Sequence, residues 1–294
     1  MIHDLVFTNV TFERPVLEEI HHAGLSAVEM HYHTNHSDGI ACVRGALKLA
    51  GKRGLGLAIT DHNEISGVIE AEQADTGVLL IPGIEVSPCE GPHILLYFSR
   101  SADLADFYRK SILPHKGPSP YFATRLSTGQ IVEQAGNYEG VRVAAHPCGY
   151  LLFNRGVFRC IDRDCLDEEI MVHFEAVEAI CGTMTRDLNE QSAALARRYD
   201  LGITGGTDGH LLDDLGRVVT CAEADDPEAF LEAVIREKTV VIGEEKNLLE
   251  KSMMGSIVLT KYIRYTIPSL QVHYEQNMPR IGRFLKKTTK RFRF

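Results

Sequence analysis

The sequence holds no apolar run approaching the ~20 residues that a membrane-crossing helix needs, so it offers no candidate span. Its opening stretch, MIHDLVFTNVTFERP, carries acidic residues and lacks an uninterrupted apolar segment. It does not resemble a signal peptide, and a cytoplasmic location is expected. There is no CxxC pair; the seven cysteines are odd in number and scattered, so they are expected to be reduced and without a disulfide framework. A zinc knuckle is not expected either, because Cys160 and Cys165 are the single close pair. No sequence repeat, P-loop or GxSxG elbow is present, which removes the usual phosphate-cradling and serine-nucleophile chemistries.

What remains is an ordinary globular composition, 44% hydrophobic and 24% charged in 294 residues. The charge is unevenly spread. Residues 1 to 245 carry a net −18 and residues 246 to 294 a net +9, which marks a domain boundary near Glu245 and a basic carboxy-terminal extension, expected to be partly disordered.

Short apolar runs alternate with helical patterns, the signature of an α/β protein built from parallel βα units. Strands are predicted at 26–33, 55–60, 78–86, 93–98, 141–146, 176–181, 202–208, 217–221 and 239–243. Between them Val43, Ala46, Leu47 and Ala50 recur at helical spacing, as do Leu188, Ser192, Leu195 and Tyr199; Asp226 and Pro227 start another helix. The segment from Ser99 to Gly140 is long for a connection and reads as an active-site loop or lid, with a helix near 129–136.

Chemistry concentrates at the predicted strand ends. In MHYHTNHSDG, a strand would place Glu29, His31 and His33 on one face and Val28, Met30 and Tyr32 on the other, with Asp38 on the loop that follows. LGLAITDH ends in Asp61 and His62, LLIPGIEVS in Glu85, VRVAAHP in His146, and GITGGTDGH in Asp208 and His210, while GPHILLYF presents His93. Six of the 13 histidines thus occupy positions where α/β barrels carry their active sites.

This ordered set, HYHTNHSDG, TDHN, GIEVS, GPHILLY, AAHP and GGTDGH, resembles the polymerase and histidinol phosphatase (PHP) domain, and the likeness covers roughly residues 26 to 243. The resemblance implies a distorted (β/α)7 barrel of the TIM-like kind, with two to three divalent ions at its carboxyl-end mouth. His31, His33, Asp208 and Glu85 would hold one ion. Glu85 would bridge to a second on His93 and His146, and Asp38, His62 and His210 would hold a third. Mixed imidazole and carboxylate donors suit Zn, Mn or Fe(II). Glu29 departs from the aspartate common in the family, and could still orient a ligand histidine from behind.

Such ions suit phosphate-ester hydrolysis, since they lower the pKa of a bound water and neutralise phosphoryl charge. Lys116, Arg125 and Arg155 are candidates for the phosphate, and His36 for a general acid. The resemblance favours nucleotides, nucleoside bisphosphates or short oligonucleotides as substrates, with histidinol phosphate as the other known family activity. Amidohydrolases and TatD-like nucleases also begin with HxH but lack the TDH and terminal DxH pairs. A metal-stabilised module without catalysis is the third alternative. The tail mixes cations with Tyr262, Tyr265, Tyr274, Phe284, Phe292 and Phe294, a composition able to contact nucleic acid, or an anionic membrane through Ile281, Phe284, Leu285 and Phe292.

Overall fold

The structure, a computed structural model, describes residues 9–117, 119–149, 155–276 and 278. Its ten strands are β1 (Val10–Thr11), β2 (Ser26–Tyr32), β3 (Gly56–Ile59), β4 (Leu80–Val86), β5 (Ile94–Phe98), β6 (Gly140–Ala144), β7 (Ala176–Cys181), β8 (Gly202–Gly206), β9 (Val218–Ala222) and β10 (Val240–Gly243). They form one sheet in the order β1-β10-β9-β2-β3-β4-β5-β6-β7-β8. Each of the nine predicted strands is present; β1 is too short to show in the sequence pattern. The α/β architecture is borne out, but the sheet is mixed. β9 runs antiparallel to both β2 and β10, and β5 to both β4 and β6, where the sequence pattern had suggested parallel units throughout.

The sheet curls until its two halves meet at the mouth. The His33 amide donates to the Gly209 carbonyl at 2.8 Å and the Gly209 amide to the His31 carbonyl at 3.2 Å, which ties the end of β2 to the turn after β8.

Two apolar clusters support this. One lies between the sheet and its helices, among them α2 (Val43–Arg53), α3 (Ser66–Ala74), α5 (Thr128–Ala135) and α7 (Arg186–Tyr199). The other gathers Val28, Met30, Ala58, Ile81, Leu95 and Val143 with Phe230, Leu231 and Val234 of α8 (Pro227–Ile235). Val28, Ile81 and Val143 lie on β2, β4 and β6 three to four residues before His31, Glu85 and His146, so this second cluster is the floor beneath the histidines.

Strand β2 departs from simple alternation. Its register with β3 shifts between Glu29 and Tyr32; Val28 and Met30 join the floor cluster while Tyr32 joins the other. The expected common face for Val28, Met30 and Tyr32 is therefore corrected. An irregularity of this kind rotates the strand locally and re-aims the side chains beyond it, here His31 and His33.

The Ser99–Gly140 segment is more helical than expected. Helix α4 (Ser101–Phe107) continues through a π turn at Tyr108–Ile112 and a 3-10 turn at Leu113–His115, and α5 begins with a Ser127–Gln130 capping box. The carboxy-terminal extension is also built. Asn247 caps α9 (Leu248–Tyr262), a 3-10 turn follows at Ile263–Tyr265, and helix resumes over 266–276. Lys246 is buried with its Nζ 3.0 Å from Asp214, which joins the extension firmly to the barrel. Ile281, Phe284, Leu285, Phe292 and Phe294 lie outside the described residues.

Candidate metal centre

All nine residues expected to bind metal converge at the barrel mouth, and every one is buried. His31 and His33 arrive on the end of β2, His62 after β3, Glu85 on β4, His93 before β5, His146 after β6, and Asp208 with His210 after β8. Asp38 enters from the loop that follows β2. That loop is fixed by Asp61, whose Oδ1 accepts from the Thr34 amide at 2.7 Å and the Ser37 hydroxyl at 2.5 Å, and whose Oδ2 accepts from the Thr34 hydroxyl at 2.7 Å. His146 and Asp208 sit in the left-handed backbone region at φ 28° and 46°, a conformation that non-glycine residues hold only when their surroundings compel it.

Among the described residues, four groups of donor atoms lie within 4.8 Å of one another: His31, His33 and Asp208; His33, Asp38 and His210; His33, His62 and Glu85; Glu85, His93 and His146. Glu85 is the hub. Its Oε1 stands 2.8 Å from His93 Nδ1, 3.4 Å from His146 Nε2 and 3.5 Å from His31 Nε2; its Oε2 stands 2.8 Å from His62 Nδ1 and 3.4 Å from His33 Nε2. Asp38 faces His210 at 3.3 Å and His62 at 3.5 Å.

The donor chemistry fits cations. Glu178 accepts the Nδ1 proton of His31 at 2.8 Å, so His31 presents its Nε2 lone pair toward His33 Nε2, 3.2 Å away. His210 likewise gives its Nδ1 proton to the Asp208 carbonyl at 2.9 Å, which turns its Nε2 toward Asp38. Nδ1 of His33 is buried with no hydrogen-bond partner, a costly condition that a divalent ion relieves. Two carboxylates about 4 Å apart repel by about 4 kcal/mol at an effective dielectric near 20, so a mouth holding three requires positive charge.

The same reasoning appears in the acidities. Burial alone would raise Glu85, yet His93, His62 and His31 hold its carboxyl well below the usual carboxylate range. Asp208 is held down against burial by His31, His33 and His210. Burial, followed by the Arg155 and His62 charges, lowers His93 to about 3.

The further candidates separate. Arg155 lines the mouth: its Nη1 is 2.5 Å from His93 Nε2 and its guanidinium lies 4.4 Å from the Phe122 ring centroid. Lys116 does not line it; its ammonium pairs with Glu64 at 2.9 Å. Arg125 is exposed and outside the cavity, and His36 pairs with Glu70 at 2.7 Å, also outside it. His36 is two residues from Asp38 in sequence, yet none of the three lines the cavity. Glu29 accepts from the amides of Thr207 at 2.7 Å, Gly216 at 3.1 Å and His31 at 3.4 Å; it braces backbone on both sides of the mouth and touches no imidazole.

The sequence reading did not place two residues at this centre, Glu178 and Tyr262, the latter read as a tail aromatic. Glu178, in the middle of β7, also accepts from the His146 amide at 2.7 Å, so one carboxylate orients two candidate ligands; its place inside an otherwise apolar strand, AVEAIC, was the available signal. Tyr262, on α9, donates to Asp38 Oδ2 at 2.9 Å, and nothing in its local sequence distinguishes it.

Residues 186–239 match the family model for PHP-associated sequences. Among solved structures, a two-domain protein from Bacteroides vulgatus containing a predicted PHP-like metal-dependent phosphoesterase superposes with a TM-score of 0.55 at 16% identity, covering 80% of this chain and 68% of that one. The chain has the PHP fold. A candidate metal-dependent phosphoesterase from Bifidobacterium adolescentis superposes with a TM-score of 0.51 at 19% identity, covering 81% of this chain and 99% of that one. A lesion-specific endonuclease from Pyrococcus furiosus follows with 0.57 at 14% identity, covering 74% and 57%. Comparison with curated proteins gives no match. In this PHP barrel no helix among the described residues is long and apolar enough to cross a membrane.

Proposed function

We propose that this chain is a metal-dependent phosphoesterase whose substrates are nucleotides, nucleoside bisphosphates or short oligonucleotides. One observation carries the hydrolytic part: six imidazoles and three carboxylates meet, buried, in a single barrel mouth. The phosphoesterases and endonuclease of like fold agree with it. In the proposed centre, His31, His33 and Asp208 form one ligand group and Glu85, His93 and His146 another; Asp38, which faces both His210 and His62, supplies with them the donors for a third, and the whole would hold two to three ions such as Zn, Mn or Fe(II). Bound there, divalent ions activate water and neutralise the charge on phosphoryl oxygens.

The protein supplies the rest. Glu178 fixes the tautomer of His31, Glu85 spans the two halves of the mouth, and Arg155 presents a guanidinium beside His93 for a substrate phosphate. Hydrolysis adds water across a P–O ester bond, so oxygen from water ends on phosphate and a proton on the released alcohol. The nucleoside preference draws on the aromatic and apolar lining of the mouth, where Phe122 and His273 pack edge to face with centroids 5.1 Å apart. Lys116, Arg125 and His36 have no part in this reading, because each points elsewhere.

The test is metal analysis of protein purified without chelator, together with phosphate release from nucleotides, bisphosphates and histidinol phosphate. Two to three ions per chain and hydrolysis of nucleotides are expected. Fewer than one ion, or hydrolysis of histidinol phosphate alone, would contradict the proposal.

A further inference from the structure

The mouth is not open to solvent in the way an isolated barrel mouth would be. Residues 254–273 run across it, and between them and the histidines lies a cavity of about 510 Å³. One side of this cavity is the metal centre with Arg155. The other is an apolar wall of Val258, Leu259, Ile263 and Leu270, the last three at the i, i+4 and i+11 positions of one helical face that continues through the 3-10 turn. Phe122 and His273 close a corner.

Three facts about this wall point to a ligand. Leu259, Ile263 and Leu270 are 65%, 66% and 63% exposed although they face a built cavity, so the described residues leave them largely uncovered. The wall is held in place from the site itself, by the Tyr262 hydroxyl on Asp38 and by the Tyr262 ring 4.9 Å from Phe122. Finally, Arg155 is the single lysine or arginine among the described lining residues, whereas a groove that tracks a nucleic acid backbone needs several. The cavity thus accepts charge at one end and apolar or aromatic surface at the other, and its depth is limited by the helix.

We propose that residues 254–273 are the specificity element of this site: their apolar wall selects phosphate esters whose leaving group is one nucleoside-sized, flat unit, and it keeps duplex nucleic acid away from the metal centre. The inference rests on the hydrolytic reading for its catalytic half. The occupant of the wall is the leaving group of the substrate, since its phosphate belongs at the cationic end. A cationic alcohol such as histidinol finds no further carboxylate in the lining than Asp38 and Asp208, which already face histidines.

The experiment uses the full chain. Rates with adenosine monophosphate, methyl phosphate and a duplex oligonucleotide are compared for the native protein and for Leu259→Glu and Leu270→Glu, exposed positions where a charge is compatible with folding. Binding of adenosine alone is measured by calorimetry on the same proteins. Expected are a kcat/KM at least about tenfold higher for adenosine monophosphate than for methyl phosphate, no duplex cleavage, and a fall of about fivefold or more in that ratio and in adenosine affinity in both variants. Equal use of the two monoesters, duplex cleavage, or variants that leave ratio and affinity unchanged would overturn the inference. If no ester is hydrolysed by metal-loaded protein, the hydrolytic reading fails, and adenosine binding then decides by itself whether the wall accepts a nucleoside.

Discussion

The Tyr262 hydroxyl donates to Asp38 Oδ2 across 2.9 Å, joining residues 224 positions apart and fastening the carboxy-terminal helix to the centre of the barrel mouth. A phenol bonded to a buried carboxylate is charge-assisted and contributes about 1.5–3 kcal/mol. Tyr262→Phe keeps the ring packing on Phe122 and loses this bond. Amide exchange across residues 254–273 should quicken while the barrel strands stay protected; equal protection in both proteins would show that the bond does not hold the helix.

Glu178 serves His31 through one oxygen and the His146 amide through the other. Only one end of a glutamine amide accepts, so Glu178→Gln leaves one of the two donors facing an NH2 group and unsupported. Metal affinity, followed by chelator competition, should fall about 10- to 100-fold. An unchanged affinity would remove Glu178 from the support of the centre.

Gly206 allows β8 to approach β2. A Cβ there would stand 2.3 Å from His31 Cβ and 2.5 Å from its amide nitrogen, distances no folded chain tolerates without shifting a strand. Gly206→Ala should cost about 1–3 kcal/mol or more in denaturant unfolding. Gly255, inside α9 with nothing near its added Cβ, is the contrast, and Gly255→Ala should stabilise by about 0.5–1 kcal/mol. Equal effects at the two sites would contradict the packing described.

The Glu64–Lys116 pair gives a pH signature. Burial alone would raise the Glu64 carboxyl, but the Lys116 ammonium and the Ser66 hydroxyl pull it down to about 2. A carboxyl lowered on folding lends stability that is complete above its unfolded value near 4.5 and is lost as pH falls toward 2. The pair is partly exposed, so the contribution is modest, about 1 kcal/mol or less. The Tm difference between the native chain and Glu64→Gln should therefore shrink between pH 5 and pH 2; a difference constant over that window would sink the assignment.

Nine of the ten strands, the periodicities of four helices and the nine mouth residues were legible in the chain, because period-two and helical patterns follow from local backbone geometry and because histidine, aspartate and glutamate recur at strand ends. The direction of β5 and β9 was not, since antiparallel and parallel neighbours present the same apolar runs. Nor was the register shift in β2, which separates Met30 from Tyr32 and aims the paired histidines.

Residue types and their spacing along the chain therefore determined the α/β class and the inventory of metal-competent side chains, for those are properties of short segments. Only the folded chain decided that Glu178 stands behind His31, that Lys116 is consumed by Glu64, and that Tyr262 returns over Asp38. Each of these depends on contacts between segments remote in sequence, whose energies arise from burial and geometry that no local pattern encodes.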